Sequence, residues 1–196
     1  MGRGKKKQAE CTYCGKIRRL SEDHVPPKGL WGEPYPLDLI VVPSCKECND
    51  GFSKDDEYFR TIISIAEDVG DHPVVQQVLP IVNRSLTRKD FPGLPKTILR
   101  NTEIVYRQGT SGLYEPAALY TMDRPRIERV ISRVIQGLFF HRFGRRLAPT
   151  YFAWSEMLGM VPTKVPPVFT PLLKAFNNER LEYIGNDGFV YGVLID

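Results

Sequence analysis

The chain has 196 residues, 42% hydrophobic and 26% charged, which suits one ordinary domain or a small module with a larger partner and excludes a wholly disordered chain. No apolar run approaches the roughly 18 residues a bilayer span needs, and residues 1–10 are basic and polar with no apolar stretch behind them, unlike a signal peptide. A soluble cytoplasmic protein with no membrane partner is expected. The net charge of +4 is modest but uneven: residues 1–28 carry eight basic side chains against three acids, and residues 124–146 carry seven arginines against Glu128 alone. Such segments are either footprints for a polyanion or solvated faces.

Up to about residue 60 the chain is punctuated rather than periodic. Pro26, Pro27, Gly29, Gly32, Pro34 and Pro36 predict a loop over 25–37, and the β-branched run 39–42, ending at Pro43, predicts a strand. Ser53 has the character of a helix N-cap, with Asp55, Asp56 and Glu57 in the first turn, and Tyr58, Ile62, Ile65, Ala66 and Val69 continue at helical spacing for about 14 residues. Asp71 is a second cap, before Pro73 and a short helix to about Ile81, and Pro92 and Pro95 mark a linker. Strands over 98–108 and 113–121 flank a hairpin turn from Gly109 to Gly112. Asp123 and Pro125 then open the clearest helix, where Ile127, Val130, Ile131, Val134, Ile135, Leu138 and Phe139 form an apolar stripe and Gly144 supplies the stop. A last hairpin is expected from strands at 181–184 and 189–195 around Gly185 to Gly188. The fold class is α+β: a small N-terminal metal module over 1–60, then a mixed helix and strand body over 61–196.

The four cysteines are Cys11, Cys14, Cys45 and Cys48, two C-x2-C knuckles 30 residues apart. A two-residue spacing lets both thiolates of a knuckle meet one ion, and two knuckles complete a tetrahedral structural Zn²⁺ site. In a reducing compartment this reading outweighs disulfides. Four thiolates leave no open position, so chemistry requires a second site. Asp23 and His24 lie between the knuckles, and Asn49 directly follows the last cysteine. An imidazole beside a carboxylate and an amide oxygen suits metal-assisted hydrolysis, with His24 deprotonating water while Asp23 and Asn49 hold a hard divalent ion.

The run from Cys11-x2-Cys14, through Ser21-Glu-Asp-His24-Val-Pro-Pro27, to Val42-Pro-Ser-Cys45-Lys-Glu-Cys48-Asn49 resembles the HNH, or ββα-metal, endonuclease module, and is most similar to the zinc-containing branch that includes recombination endonuclease VII. The resemblance covers roughly residues 9–60. It implies that His24 is the general base, that Asp23 and Asn49 ligate a catalytic Mg²⁺ or Mn²⁺, and that His24 leaves a first strand joined by the proline-rich loop to a second, with a helix packed behind. Two family positions lack a match. The middle Asn is absent, with Asp38 nearby, and the last His is absent, with Glu57 or Asp56 as the nearest alternative ligand.

Each residue also has a plainer reading. His24 can be a loop histidine bonded to backbone, Asp23 a turn former and Asn49 a left-handed residue closing the knuckle. Lys54 reads as solvated, His72 as a helix-start residue, and His141 as packing at a helix end or favouring the helix C-terminus. Arg126, Arg129 and Arg133 form a stripe that either tracks a phosphate backbone or faces solvent, and Tyr151, Phe152 and Trp154 read as core. Two functions follow. The first is a metal-dependent endonuclease acting on nucleic acid, with DNA the expected partner and the basic arm and arginine stripe as salt-sensitive contacts. The second is a non-catalytic zinc-stabilised module that binds nucleic acid or protein. Residues 61–196 are assigned to target selection, homodimerisation or inhibition.

Overall fold

The computed structural model describes residues 8–66, 69–88, 93–109, 111–150, 181–185 and 188–192. The basic arm before Gln8 and the aromatic trio Tyr151, Phe152 and Trp154 lie outside them. The described residues form an α+β fold of four helices and small antiparallel sheets.

The first sheet sets the site. Its central strand β2 (Ile17–Val25) pairs at its start with β1 (Gln8–Glu10), Ile17 opposite Glu10, and over the rest of its length with β3 (Ile40–Cys45), from Leu20 opposite Cys45 to Val25 opposite Ile40. Beyond Arg19, therefore, one edge of β2 has no strand beside it among the described residues. Side chains alternate across a strand: Asp23 and Val25 are buried with their neighbours Val42 and Ile40, while Glu22 and His24 fall on the other face. Pro43 is tolerated inside β3 because its backbone points outward, where its carbonyl accepts from Thr12 N at 3.0 Å.

The chain turns directly from β3 into α1 (Lys46–Ser64), with Cys45 as its N-cap. The predicted start at Ser53 is corrected by two turns: the extended Cys45 and the knuckle commit residues 46–52 to the helix despite Gly51 and Asn49, and Ser53 bonds Asp50 O within it. Helix α2 (Pro73–Thr87) is capped by His72, whose Nδ1 accepts from Val74 N, rather than by Asp71. It runs past Pro80 and beyond the expected end because Val78, Val82 and Ser85 bury one stripe. The expected linker at Pro92 and Pro95 instead contains α3 (Gly93–Arg100), so Ile98 is helical and the next strand begins later. That strand, β4 (Thr102–Gln108), forms a hairpin with β5 (Tyr114–Tyr120).

Helix α4 (Arg124–Phe143) follows the sequence closely: Asp123 caps it by accepting from Arg126 N, and Gly144 ends it at φ +65°. The short hairpin of β6 (Glu182–Ile184) and β7 (Phe189–Tyr191) closes the described fold. One core joins Val25, Trp31, Ile40 and Val42 of the first sixty residues to Val130, Val134 and Ile184, and a second joins Tyr58 and Ile62 of α1 to Ile127 of α4.

The contact between α4 and the sheet has almost no slack. A Cβ on Gly137 would stand 2.5 Å from Val25 Cγ2, and Val25 is fully buried. Overpacking of this kind costs about 1–3 kcal/mol. Gly137→Ala is expected to lower unfolding stability by about that amount despite the better helix propensity of alanine, read as a shift of the denaturation midpoint at constant slope. An unchanged or raised midpoint would show that α4 does not approach Val25 this closely.

Candidate metal centre and adjoining cleft

The two knuckles come together where the turn after β1 meets the junction of β3 and α1. The ligand atoms of Cys11, Cys14, Cys45 and Cys48 all lie within 4.8 Å of one another. Cys14 Sγ and Cys45 Sγ are 3.8 Å apart, and none of the four is in a disulfide. A tetrahedron with metal–sulfur bonds of about 2.3 Å has sulfur–sulfur edges of about 3.8 Å, so the cluster has the dimensions of a four-thiolate zinc site. Cys45 N donates to Cys11 Sγ at 3.3 Å. Burial opposes ionisation of Cys11, but backbone donors around it outweigh that effect and bring its thiol down to about 7. Arg146, beyond the end of α4, donates to the carbonyls of Thr12 and Tyr13 and so fastens the first knuckle from more than 130 positions away.

A cleft of ≈ 440 Å³ opens beside this cluster, along the unpaired edge of β2 and the flank of α1. Asp23, His24, Asn49 and Glu57 all line it. Asn49 Nδ2 donates to Glu22 O at 3.2 Å and, more weakly, to Ser21 Oγ, which satisfies the open strand edge and leaves Asn49 Oδ1 out of those bonds. Asn49 lies in the first turn of α1, not in a left-handed closing position. Asp38, in the loop before β3, accepts from Gly185 N at 3.1 Å and does not line the cleft.

Asp23 is the most constrained of these groups. It is 7% exposed, and Oδ2 accepts from Tyr13 Oη at 2.6 Å. Burial, and then the nearby carboxylate, push the Tyr13 phenol far above its ordinary range, so it remains a donor. Arg133 Nε of α4 stands 4.0 Å from the same oxygen, while the other guanidinium nitrogens hold Asp56 of α1 in a two-pronged pair at 2.7 and 3.0 Å. The guanidinium lies 4.5 Å from the centre of the Phe52 ring, and Arg133 is 1% exposed. Asp56 is raised by burial, against the pull of Arg133.

This geometry corrects the reading of the arginine stripe as a phosphate track. Arg126 and Arg129 both bond Asp55, at 2.7 and 2.6 Å, and Arg133 is consumed by Asp56. Burial alone would raise Asp55, but its two arginine partners bring it below the ordinary carboxylate range. The stripe is a seam between α4 and α1. His141 is exposed in the last turn of α4, where a basic group favours the helix C-terminus, rather than packed, and Lys54 lies at the lip of the cleft.

The sequence reading missed Tyr13 and Arg60 as site residues, and it gave Asp56 and Arg133 other roles. The spacing of Asn49, Ser53, Asp56 and Arg60 (i, i+4, i+7, i+11) marks one helical face, but it is legible only once the helix is known to start at Lys46. Comparison with family models, with curated proteins and with solved structures found no match to this chain. No helix among the described residues is long and apolar enough to cross a membrane.

Two measurements test this centre. Elemental analysis is expected to find one zinc per chain, and Cys45→Ser is expected to lose both the zinc and the amide-exchange protection of residues 8–60, because binding of such an ion is coupled to folding. A metal-free yet protected wild-type chain would exclude a structural ion. Arg133→Met leaves Asp56 without its partner and is expected to cost about 3 kcal/mol, part of it recovered by adding Asp56→Asn. Additive losses in the double variant would show that the pair is not coupled.

Proposed function

We propose that the chain is a metal-dependent endonuclease of the HNH type that hydrolyses nucleic-acid phosphodiester bonds, with DNA the expected substrate. The observation that carries this reading is the meeting of Asp23, His24, Asn49 and Glu57 in one cleft directly beside a four-cysteine cluster. In the module that the sequence resembles, the positions matched by Asp23, His24 and Asn49 divide the work in this way, and Glu57 is the nearest replacement for a family histidine that has no match here. Zinc in the cysteine cluster would hold the hairpin and the start of α1 together and take no part in the reaction.

The donor set of Asp23, Asn49 and Glu57 is entirely oxygen, the chemistry preferred by hard divalent ions. A Mg²⁺ or Mn²⁺ bound there would neutralise charge developing on the phosphate and on the leaving 3′ oxygen. His24 accepts a proton from water, which attacks phosphorus in line with the leaving oxygen and gives 5′-phosphate and 3′-hydroxyl ends. Asn49, anchored through its amide nitrogen to the β2 edge, presents its carbonyl oxygen from a fixed position. Tyr13 and Arg133 orient Asp23 from behind.

A second reading, a zinc-stabilised binding module without catalysis, is favoured by one observation. Asp23 is already held by Tyr13 and lies close to Arg133, as a purely structural carboxylate would be. Supercoiled plasmid incubated with the zinc-loaded protein and Mg²⁺ or Mn²⁺ separates the two. The nuclease is expected to nick or linearise it, and His24→Ala, with zinc content intact, is expected to lose at least about 10²-fold in rate. Equal cleavage by the folded variant would remove His24 from its role. Salt-sensitive DNA binding without cleavage in either protein would support the binding module.

A further inference from the structure

The cleft is lined by a single arginine, Arg60, and no acid pairs with it among the described residues. Arg60 lies on the same face of α1 as Asn49, three turns further along. Its Nε is buried and has no hydrogen-bond partner, and among the described residues its guanidinium makes no ion pair. The acid one turn before it, Asp56, is occupied by Arg133. Arg60 as a whole is partly exposed, but its enclosed Nε is a donor left without a partner, which is costly. Room for this arrangement is made by Gly29 in the short 3-10 turn Lys28–Leu30: a Cβ there would stand 2.9 Å from Arg60 Nη1. The guanidinium therefore rests against bare backbone, while the lysines Lys28 and Lys54 flank the same cleft.

An arginine is charged at every relevant pH, and its planar fork matches two oxygens of a phosphate. Eleven residues of helix put the Cα atoms of Arg60 and Asn49 about 16 Å apart, a separation that suits neighbouring phosphates of one strand. We propose that Arg60 is an anion-binding residue that clamps a backbone phosphate flanking the scissile one, and so sets which stretch of the strand lies across His24. The identity of the ligand as a nucleic-acid strand rests on the nuclease reading, whereas the anion site itself stands on the unpaired guanidinium.

The test uses the full-length zinc-loaded protein and fluorescein-labelled single-stranded oligonucleotides, one of DNA and one of RNA, without added Mg²⁺ or Mn²⁺ so that nothing is cleaved. Arg60→Met keeps the apolar stem and removes the fork; its zinc content and melting midpoint are read first. Binding to at least one strand is expected to weaken about tenfold, and the slope of log Kd against log salt to fall by about 0.7, the value for one phosphate contact on a single strand. Arg60→Lys should keep the salt slope but recover only part of the affinity, because it restores the charge and not the fork. The strand that responds identifies the source of the phosphate.

Unchanged affinity and slope in the folded, zinc-loaded Arg60→Met variant would overturn the proposal, as would a wild-type protein that binds neither strand. These results are separable from the fate of the nuclease reading. Loss of binding in Arg60→Met with no cleavage by the wild type leaves the anion site standing and removes the nuclease. Plasmid cleavage by the wild type, with strand binding indifferent to Arg60, does the reverse.

Discussion

The guanidinium of Arg133 is the point through which α4 acts on α1 and the first sheet. It is almost fully enclosed, and it touches Asp56 on one side, Phe52 on its face and the neighbourhood of Asp23 on the other. A buried ion pair of this kind contributes little net stability compared with a well-packed apolar pair, but breaking it is expensive. Its effect is therefore geometric: α4 can sit in one place only. Gly137, one turn further along, sets how near the helix comes to Val25, and Arg126 and Arg129 extend the same seam toward the helix start through Asp55. Tyr58 completes it, receiving the Asp123 backbone N–H at 2.7 Å and bonding Tyr120.

The charges of the cleft follow from that seam. Asp55 and Asp56 are acids of α1 that would otherwise repel a phosphate backbone, and both are neutralised by arginines of α4. Besides Asp56, the helix presents Asn49, Ser53, Lys54, Glu57 and Arg60 to the cleft, a mixture of oxygen donors and cations. A cluster of seven arginines that looks in sequence like a nucleic-acid footprint is spent partly inside the protein. What it supplies to the cleft is the removal of negative charge, an indirect contribution to any anionic ligand.

Much of this was legible from the residues. The cysteine knuckles, the caps Asp123 and Gly144 and the β4–β5 and β6–β7 hairpins are local features, specified by residues a few positions apart, and each forms where the local chemistry puts it. The start of α1 was not legible, because Ser53 with three following acids imitates a cap, while Cys45 takes that role through the extended backbone of β3. Helix α3 was hidden by Pro92 and Pro95, residues that mark a linker as readily as a first helical turn. The partners of Arg133 and Arg126 lie more than 70 positions away, and no periodicity within α4 reveals them.

The long reach of the α1–α4 seam also has a consequence for the order in which the chain is made. All four cysteines and every lining residue of the cleft have been synthesised by Arg60, so an ion could be captured early. The arginine that holds Asp56 and the glycine that seats α4 come about 70 residues later, several seconds at translation rates of about 5–20 residues per second. During that interval α1 carries Asp55 and Asp56 uncompensated beside the cleft, and the nascent protein presents a more negative surface to any phosphate than the finished one. The cleft therefore reaches its final charge only once the chain has grown through α4.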